Sequence, residues 1–454
     1  MAQRAEGVSA TFADSGVEPF DFDDETFNNA ARLIFETGHF DASMLSDPAM
    51  VELIKQTFNI LSSAIGHGLS YEVPETLRYA LENNAFTFSG FKTFHTLREV
   101  GLSLLTPNGD IKPFSTFLND VKAINDRYNH NYLRAEYQQA VAASQMAVRW
   151  HEFEKDGDRY DLQYRTANDS RVREEHSVLH NTTLPIDDPF WDSFLPPNGW
   201  GCRCTTVQVR KGKYPTSDPE LAMRRGQNCT DGAKRKIFRF NPGKAMRLYP
   251  KQHPYFPKGC GSCSRKLNLA FDPKRQICVA CAELSRLKRI IVNRLKYNRL
   301  KKDKNYRDVY YNPDNGGLKA SHIGHNFDKK GGIYERHAQE AGYKAGHAVI
   351  LENERSDKYK EKQTEGGWDN LKFEVAGCEN GTSNNILRGL KHCASKRTTE
   401  IAVIDLPNTE FDLEVFNHAL RRYIGLEKLK DGQFLRFKKI ICIHNEQIVH
   451  VAEL

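Results

Sequence analysis

From about residue 20 to residue 160, apolar side chains recur at three- and four-residue spacing, in segments 26–37, 50–65, 74–83, 93–105 and 114–154. That is the period of amphipathic helices. Within 132–153, Leu133, Tyr137, Val141, Ala142, Met146 and Trp150 mark one long helix with a stripe facing a core. The period breaks at Arg159, and Pro185, Pro189, Pro196, Pro197 and Gly199 make the stretch through Gln208 rich in turns. Residues 213–283 are again irregular. Residues 284–304 return to a helical period, with Leu284, Leu287, Ile291, Leu295 and Leu300 on or near one face. Residues 305–332 are rich in Asn, Gly and Asp and read as a linker. Beyond them a helix (333–345), an apolar run (348–351), a strand (371–375), a helix (383–394), a strand (401–406), a helix (413–424) and a strand pair (around 439–451) alternate. Such alternation predicts an α/β or α+β sheet domain.

The expected architecture is multidomain. It comprises a disordered tail (1–19), a mainly α body (20–158), an irregular lobe (159–212), a cysteine-bearing region (213–283), a basic helix and linker (284–332) and a sheet domain (333–454). At 454 residues the chain exceeds what one core ordinarily supports. A mean hydropathy of −0.63 agrees with several small units. No run approaches the ~18–20 apolar residues that span a bilayer, so no membrane partner is expected. The acidic start lacks the basic and apolar regions of a secretory signal. A reducing cytoplasm is therefore expected, and the ten cysteines read as metal ligands or buried thiols rather than disulfides.

Cys260, Cys263, Cys278 and Cys281 form two C-x-x-C pairs separated by fourteen residues. Two pairs of thiolates at that spacing match a four-cysteine zinc ribbon holding structural Zn2+, with His253 as a spare ligand; the alternative is free thiols. A second set, His176, His180, Cys202 and Cys204, offers two imidazoles four residues apart and a C-x-C pair for another Zn2+. Alternatively, His176 is hydrogen-bonded and the cysteines are buried thiols, or Cys202 and His176 form a nucleophile pair. Glu175 precedes His176 directly, which excludes an H-E-x-x-H protease.

The net charge of +7 is modest, but nine Lys or Arg fall between Arg286 and Lys304. Arg286, Lys288, Arg289, Arg294, Lys296, Arg299, Lys301 and Lys302 are candidates for contacting the phosphates of DNA or tRNA; the alternative is a solvated helix.

The richest stretch, 164–209, carries Arg165, Asp169, Val172, Arg173, His176, Leu179, Asp188, Phe190, Trp191, Pro196, Pro197 and then Gly199, Trp200, Gly201, Cys202, Arg203 and Cys204. It resembles the signature of Mu F-type phage head-morphogenesis proteins, and with the preceding helix the likeness runs over roughly 125–210. The resemblance implies a minor capsid protein that associates with the portal and major capsid proteins, located in the virion head interior or portal region after assembly in the host cytoplasm. On the residues alone, Asp169 with Arg171 and Arg173 would form a buried ion-pair lattice, while the prolines and aromatics stiffen a compact lobe.

The last domain resembles the C-terminal tRNA nucleases of contact-dependent inhibition toxins, relatives of the PD-(D/E)xK nucleases. That resemblance implies a helix acid (Glu335 or Glu340), Asp369 and the strand acid Glu374 around Mg2+ or Mn2+. The usual lysine position holds Ala376, so Lys372, on the same strand face as Glu374, or Lys391 would substitute. The expected role is thus structural, in head assembly, with metal-dependent nuclease activity on tRNA or DNA as the alternative.

Overall fold

The structure is a computed structural model that describes residues 20–68, 73–257, 273–329, 331–353, 364–369, 371–396, 398–431 and 437–454. The expected tail (1–19) and the pair Cys260 and Cys263 lie outside the described residues. The chain divides into two compact units, Met1–Ser285 and Arg286–Leu454. Among the described residues no helix is long and apolar enough to cross a membrane.

The first unit opens with the expected helical body, α1 (Asp24–Thr37), α2 (Pro48–Gly68), α3 (Glu75–Leu102), α4 (Phe114–Asn125) and α5 (Leu133–Phe153), in which the separate segments 74–83 and 93–105 are joined in the single helix α3. Asp23 caps α1 through the Glu25 amide, and Gly38 ends it in the left-handed region at φ 75°. The stretch 132–153, expected as one long helix, is α5, and a π-helical turn over Asp126–Tyr132 joins α4 to it. Helix α3 is buried along most of its length, including Lys92, whose ammonium meets the Glu136 carboxylate of α5 and the Tyr128 carbonyl oxygen. Gln139 and Asn84, both buried, bind the chain near Leu248.

The lobe is more regular than its prolines suggest. Strand β1 (Tyr160–Arg165) lies between β2 (Thr183–Pro185) and β3 (Thr205–Arg210), antiparallel to both. Short helices α6 (Glu174–Ser177) and α7 (Phe190–Phe194) fill the connections, and α8 (Pro219–Cys229), α9 (Ala233–Lys236) and α10 (Pro242–Ala245) follow. Trp191, Phe190, Phe194, Tyr164 and Leu184 share one core with Met146, Trp150 and Phe153 of α5 and with Cys229 of α8. The Trp191 indole donates to the Pro185 carbonyl at 3.0 Å, so its polar edge is satisfied inside that core. Lobe and long helix are one hydrophobic body.

Helix α11 (Pro273–Leu300) begins well before the expected helix and contains Ser285, the last residue of the first unit. In the second unit an eight-stranded mixed sheet runs β11-β10-β9-β8-β7-β6-β5-β4. Its strands are β4 (Tyr306–Tyr311), β5 (Leu318–His322), β6 (Ala348–Leu351), β7 (Gly366–Trp368), β8 (Leu371–Gly377), β9 (Ile401–Asp405), β10 (Lys439–His444) and β11 (Gln447–Glu453). Strands β8, β9 and β10 are mutually parallel, as are β5 and β6; the other neighbours are antiparallel. Parallel neighbours need helical crossovers, supplied by α12 (Gly332–Lys344), α13 (Ser383–Ser395) and α14 (Leu413–Asp431). Alternate strand residues serve two cores. Ala376, Ala402, Ile404, Ile440 and Cys442 face Ile386, Leu390, Phe416 and Tyr423 of α13 and α14, whereas Phe373, Val375, Ile401, Val403 and Ile441 face Ala338 and Ala341 of α12. The expected sheet domain is present but begins earlier: residues 305–332, read as a linker, supply β4 and β5. Strand β4 is an edge strand of alternating partial exposure with a bulge between Arg307 and Tyr310, so it lacks the apolar run of a buried strand.

Candidate metal centres

In the lobe, α6 places His176 against the turn that enters β3. The Nδ1 of His176 lies 3.7 Å from the Cys202 sulfur and 3.6 Å from the Cys204 sulfur. A tetrahedral zinc ion, bonded at ~2.3 Å to sulfur and ~2.0 Å to nitrogen, sets N···S separations of roughly 3.6 Å. Both N···S separations match that value, and the three ligand atoms all lie within 4.8 Å of one another. The Cys204 thiol beside it pulls the Cys202 thiol well below its usual range, against the opposing effect of burial, and His176 adds to the shift. Cys204 is correspondingly pushed up by Cys202 and by burial. Two sulfurs and an imidazole, one thiol shifted toward its ionised form, are the donor set a soft cation prefers.

His180 does not join them. Helix α6 ends at Ser177 and the chain turns through Asn181 at φ 66°, which sends the His180 ring to Thr166, with its Nδ1 2.8 Å from the hydroxyl oxygen. Cys229, which the spacing does not suggest, shares the same core and has its thiol pushed up to about 12, by burial first and then by Cys202. A cavity of about 70 Å³ opens beside the site, lined in part by Arg171, Arg173, Arg203, Cys202 and Cys204. The expected buried ion-pair lattice is instead a surface fork. Arg203 donates to both Asp169 oxygens, at 2.7 and 2.5 Å, and with hydrogen bonds from Arg203 leading and outweighing burial the Asp169 carboxyl is held at about 2. Arg173 turns away to the Trp200 carbonyl, and Arg171 meets Asp169 through its backbone amide.

Of the expected zinc ribbon, Cys278 and Cys281 are described. Both are partly buried in α11, three residues apart on one helical face, rather than in a turn. His253 sits elsewhere, buried among the rings of Phe88, Tyr255 and Trp200, and burial pushes its imidazole down to about 4.

The cations of α11 do not form one solvent face. Arg286, Arg294, Lys301 and Lys302 are exposed, and Lys288, Arg289 and Arg299 are half-buried. Lys296 is buried, in line with Val292 and Leu300 at four-residue spacing, and this corrects its reading as a phosphate contact.

The nuclease-type set is rearranged. Glu335 on α12 is buried, with its Oε2 2.8 Å from His325 Nε2 and its Oε1 2.9 Å from Lys329 Nζ. Lys329 Nζ also lies 2.9 Å from Glu365 Oε2, and Lys396 Nζ joins Glu365 Oε1 at 2.9 Å to Glu374 Oε2 at 2.8 Å. A continuous buried network thus links Glu335 to Glu374. Burial opposes ionisation of Glu365, but Lys329 and Lys396 outweigh it and hold the carboxyl at about 2. Glu374 is raised, by burial first. Asp369 stands apart at φ 53° in the turn between β7 and β8. Burial opposes its ionisation too, but pairing with His347 at 2.8 Å and a hydrogen bond from the Ala348 amide at 3.0 Å hold it at about 2. Lys372 is exposed at the start of β8, Glu340 pairs with Lys319, and Lys391 is exposed. Spacing cannot flag His325, Lys329, Glu365 and Lys396, because loops and helix ends far apart in sequence bring them in.

Residues 112–207, which run from just before α4 into β3 and include the His176, Cys202 and Cys204 constellation, match the family described as Phage Mu protein F like protein. Over this stretch the chain is similar to that family. It is 31% identical over 159 residues to the Mu-like prophage FluMu F protein of Haemophilus influenzae, covering 34% of this chain and 37% of that protein. It is 52% identical over 42 residues to the putative capsid assembly protein F of Escherichia phage Mu, covering 9% of this chain and 10% of that protein. The chain therefore spans little more than a third of one relative's length and a tenth of the other's. No solved structure matches. The matched residues supply most of the core shared by α5 and the lobe, and His176, Cys202 and Cys204 all fall within the matched stretch.

Proposed function

We propose that this chain is a structural component of a phage head and acts in capsid assembly through its Mu F-like region. The observation that carries the reading is the family match over 112–207, together with the naming of the phage Mu relative as a capsid assembly protein. The packing supports it: the matched residues share a core around Trp191 and Trp150, and they present Arg171 and Arg173 at the surface beside the thiol cavity. In this reading the portal and major capsid proteins are the partners, and the protein resides in the virion. Zinc held by His176, Cys202 and Cys204 would pin the turn that enters β3, and a second zinc would engage Cys260, Cys263, Cys278 and Cys281.

The test is to purify heads from an induced lysogen and analyse them by mass spectrometry. The chain should be present in wild-type heads, and deleting its gene should leave heads unassembled. A chain missing from heads, with heads unchanged by the deletion, rejects the proposal. Metal analysis of the purified protein should show zinc that falls by one equivalent in the double variant Cys202→Ser, Cys204→Ser.

A second reading, a metal-dependent nuclease in the second unit, is favoured by the buried link between Glu335 and Glu374. It draws on Glu365 and Lys396 where Asp369 and Lys372 were expected. Incubating the full chain with tRNA or DNA and Mg2+ tests it: cleavage abolished by Glu374→Gln supports the reading, and no cleavage rejects it.

A further inference from the structure

We propose that His325, Glu335 and Glu365 form a divalent-cation site, and that the Lys329 ammonium fills the same place when the cation is absent. One donor atom from each of the three side chains lies within 4.8 Å of the others, and all three residues are buried. The inference concerns cation binding alone and holds whether or not the unit cleaves nucleic acid.

The His325 ring carries the argument. Its Nδ1 is 2.9 Å from the Glu352 carbonyl oxygen, which only accepts, so Nδ1 bears the hydrogen. Its Nε2 faces Glu335 Oε2, 2.8 Å away, where an imidazolium donates a hydrogen and a neutral ring presents its lone pair. Two lone pairs at that distance repel unless a proton or a cation lies against both. A backbone carbonyl fixing the far nitrogen is also the arrangement that orients metal-binding imidazoles. Atoms that share one octahedral ion at ~2.1 Å bond length lie ~3 Å apart, close to the separation seen.

Two further observations point the same way. Lys329 places its ammonium 2.9 Å from an oxygen of Glu335 and 2.9 Å from an oxygen of Glu365, so a positive group already bridges the two carboxylates. Its side chain is 30% exposed, whereas those of Glu335 and Glu365 are 1% and 6% exposed, so the lysine has a route to solvent that the carboxylates lack. Neither oxygen of the fully buried Glu374 accepts a well-aligned hydrogen bond from the described residues, although Lys396 Nζ lies 2.8 Å and His392 Nε2 3.3 Å away. Two carboxylates and one imidazole suit Mn2+ among the common divalent ions, whereas the thiol sites elsewhere in the chain prefer Zn2+.

The test is Mn2+ titration of the full-length protein, read by calorimetry and by the loss of the free-ion electron spin resonance signal. One Mn2+ should bind per chain. Glu365→Gln should weaken binding by at least about tenfold, and Lys329→Met should strengthen it by about tenfold because the competing cation is gone. The double variant Cys202→Ser, Cys204→Ser should bind as the wild type does. A purely structural ion network predicts the reverse pattern: no Mn2+ uptake, with both Glu365→Gln and Lys329→Met lowering thermal stability. The wild-type titration decides the matter even if a variant does not fold, since absence of Mn2+ binding overturns the proposal. Weaker binding in a folded Lys329→Met protein overturns the role given to the lysine.

Discussion

Where the lobe gathers one imidazole and two thiols from residues 176–204, the second unit draws its cluster from positions 325, 329, 335, 365, 374 and 396. The first cluster is soft, local and wedged against an aromatic core; the second is hard, assembled from distant segments and held by alternating charge. The difference lies in what does the positioning. In the lobe, Trp191, Phe190 and Tyr164 form a packed aromatic core on which Cys204 borders, with no ion pair inside the His176, Cys202 and Cys204 group among the described contacts. In the second unit each carboxylate is placed by an ammonium, and removing one charge leaves another buried without compensation.

The sharpest way to break this comparison is to remove packing in the first unit. Trp191→Ala should destabilise it by about 3–5 kcal/mol. Hydrogen exchange should quicken in β1 and α5 while β8 and β9 keep their protection. Loss of protection in both units would show that the division between them is not energetic. Next in size is the buried pair in the helical body. Lys92→Met alone should cost about 3–5 kcal/mol, and adding Glu136→Leu should recover much of it, as measured by urea unfolding. Recovery would show that the first unit, unlike the second, can exchange charge for packing.

Acid separates the two units. His253 has its folded value depressed from 6.5 to about 4, so its contribution is complete above pH 6.5 and is lost as the pH falls toward 4. Glu365 is depressed from 4.5 to about 2, so its contribution is complete above pH 4.5 and is lost on falling toward 2. Glu374, raised by burial, acts in the opposite sense: it favours the fold on the acid side and costs stability as the pH rises through its window. Thermal melts between pH 7 and pH 2 should therefore show the first unit weakening first, and Glu365→Gln should flatten the lower window only. The smallest effect belongs to the exposed fork: Asp169→Asn should leave the melting temperature unchanged within error while loosening the loop, seen as faster exchange at the Arg171 amide.

The sequence tells much about the lobe and little about the second cluster, for the same reason. Helical period locates α1 to α5 and the alternation of α12, α13 and α14 with strands, because each element carries its own apolar stripe. His176, Cys202 and Cys204 are legible because they crowd into one short, unusual stretch. His180 is not, since its direction depends on the left-handed turn at Asn181. Glu365 precedes a three-residue strand that begins with two glycines, and Lys396 follows the last turn of α13; neither has a local pattern to announce it. Strand pairing across the sheet, which no periodicity encodes, brings them to Glu374. Lys296 shows the converse: a charge count along α11 suggests a basic face, but the helix buries one of its own cations along the apolar stripe.

Strand β1 forms the middle of the lobe sheet, yet it is made before either neighbour, and β3 follows directly on Cys204. As the polypeptide leaves the ribosome, one edge of β1 stays open until some forty further residues have emerged. A nascent chain halted anywhere before Arg210 would carry an unpaired edge with the hydrogen-bonding template of a free strand. The C-R-C turn is thus the latch of the lobe, and chaperone dependence should concentrate in the interval before it closes.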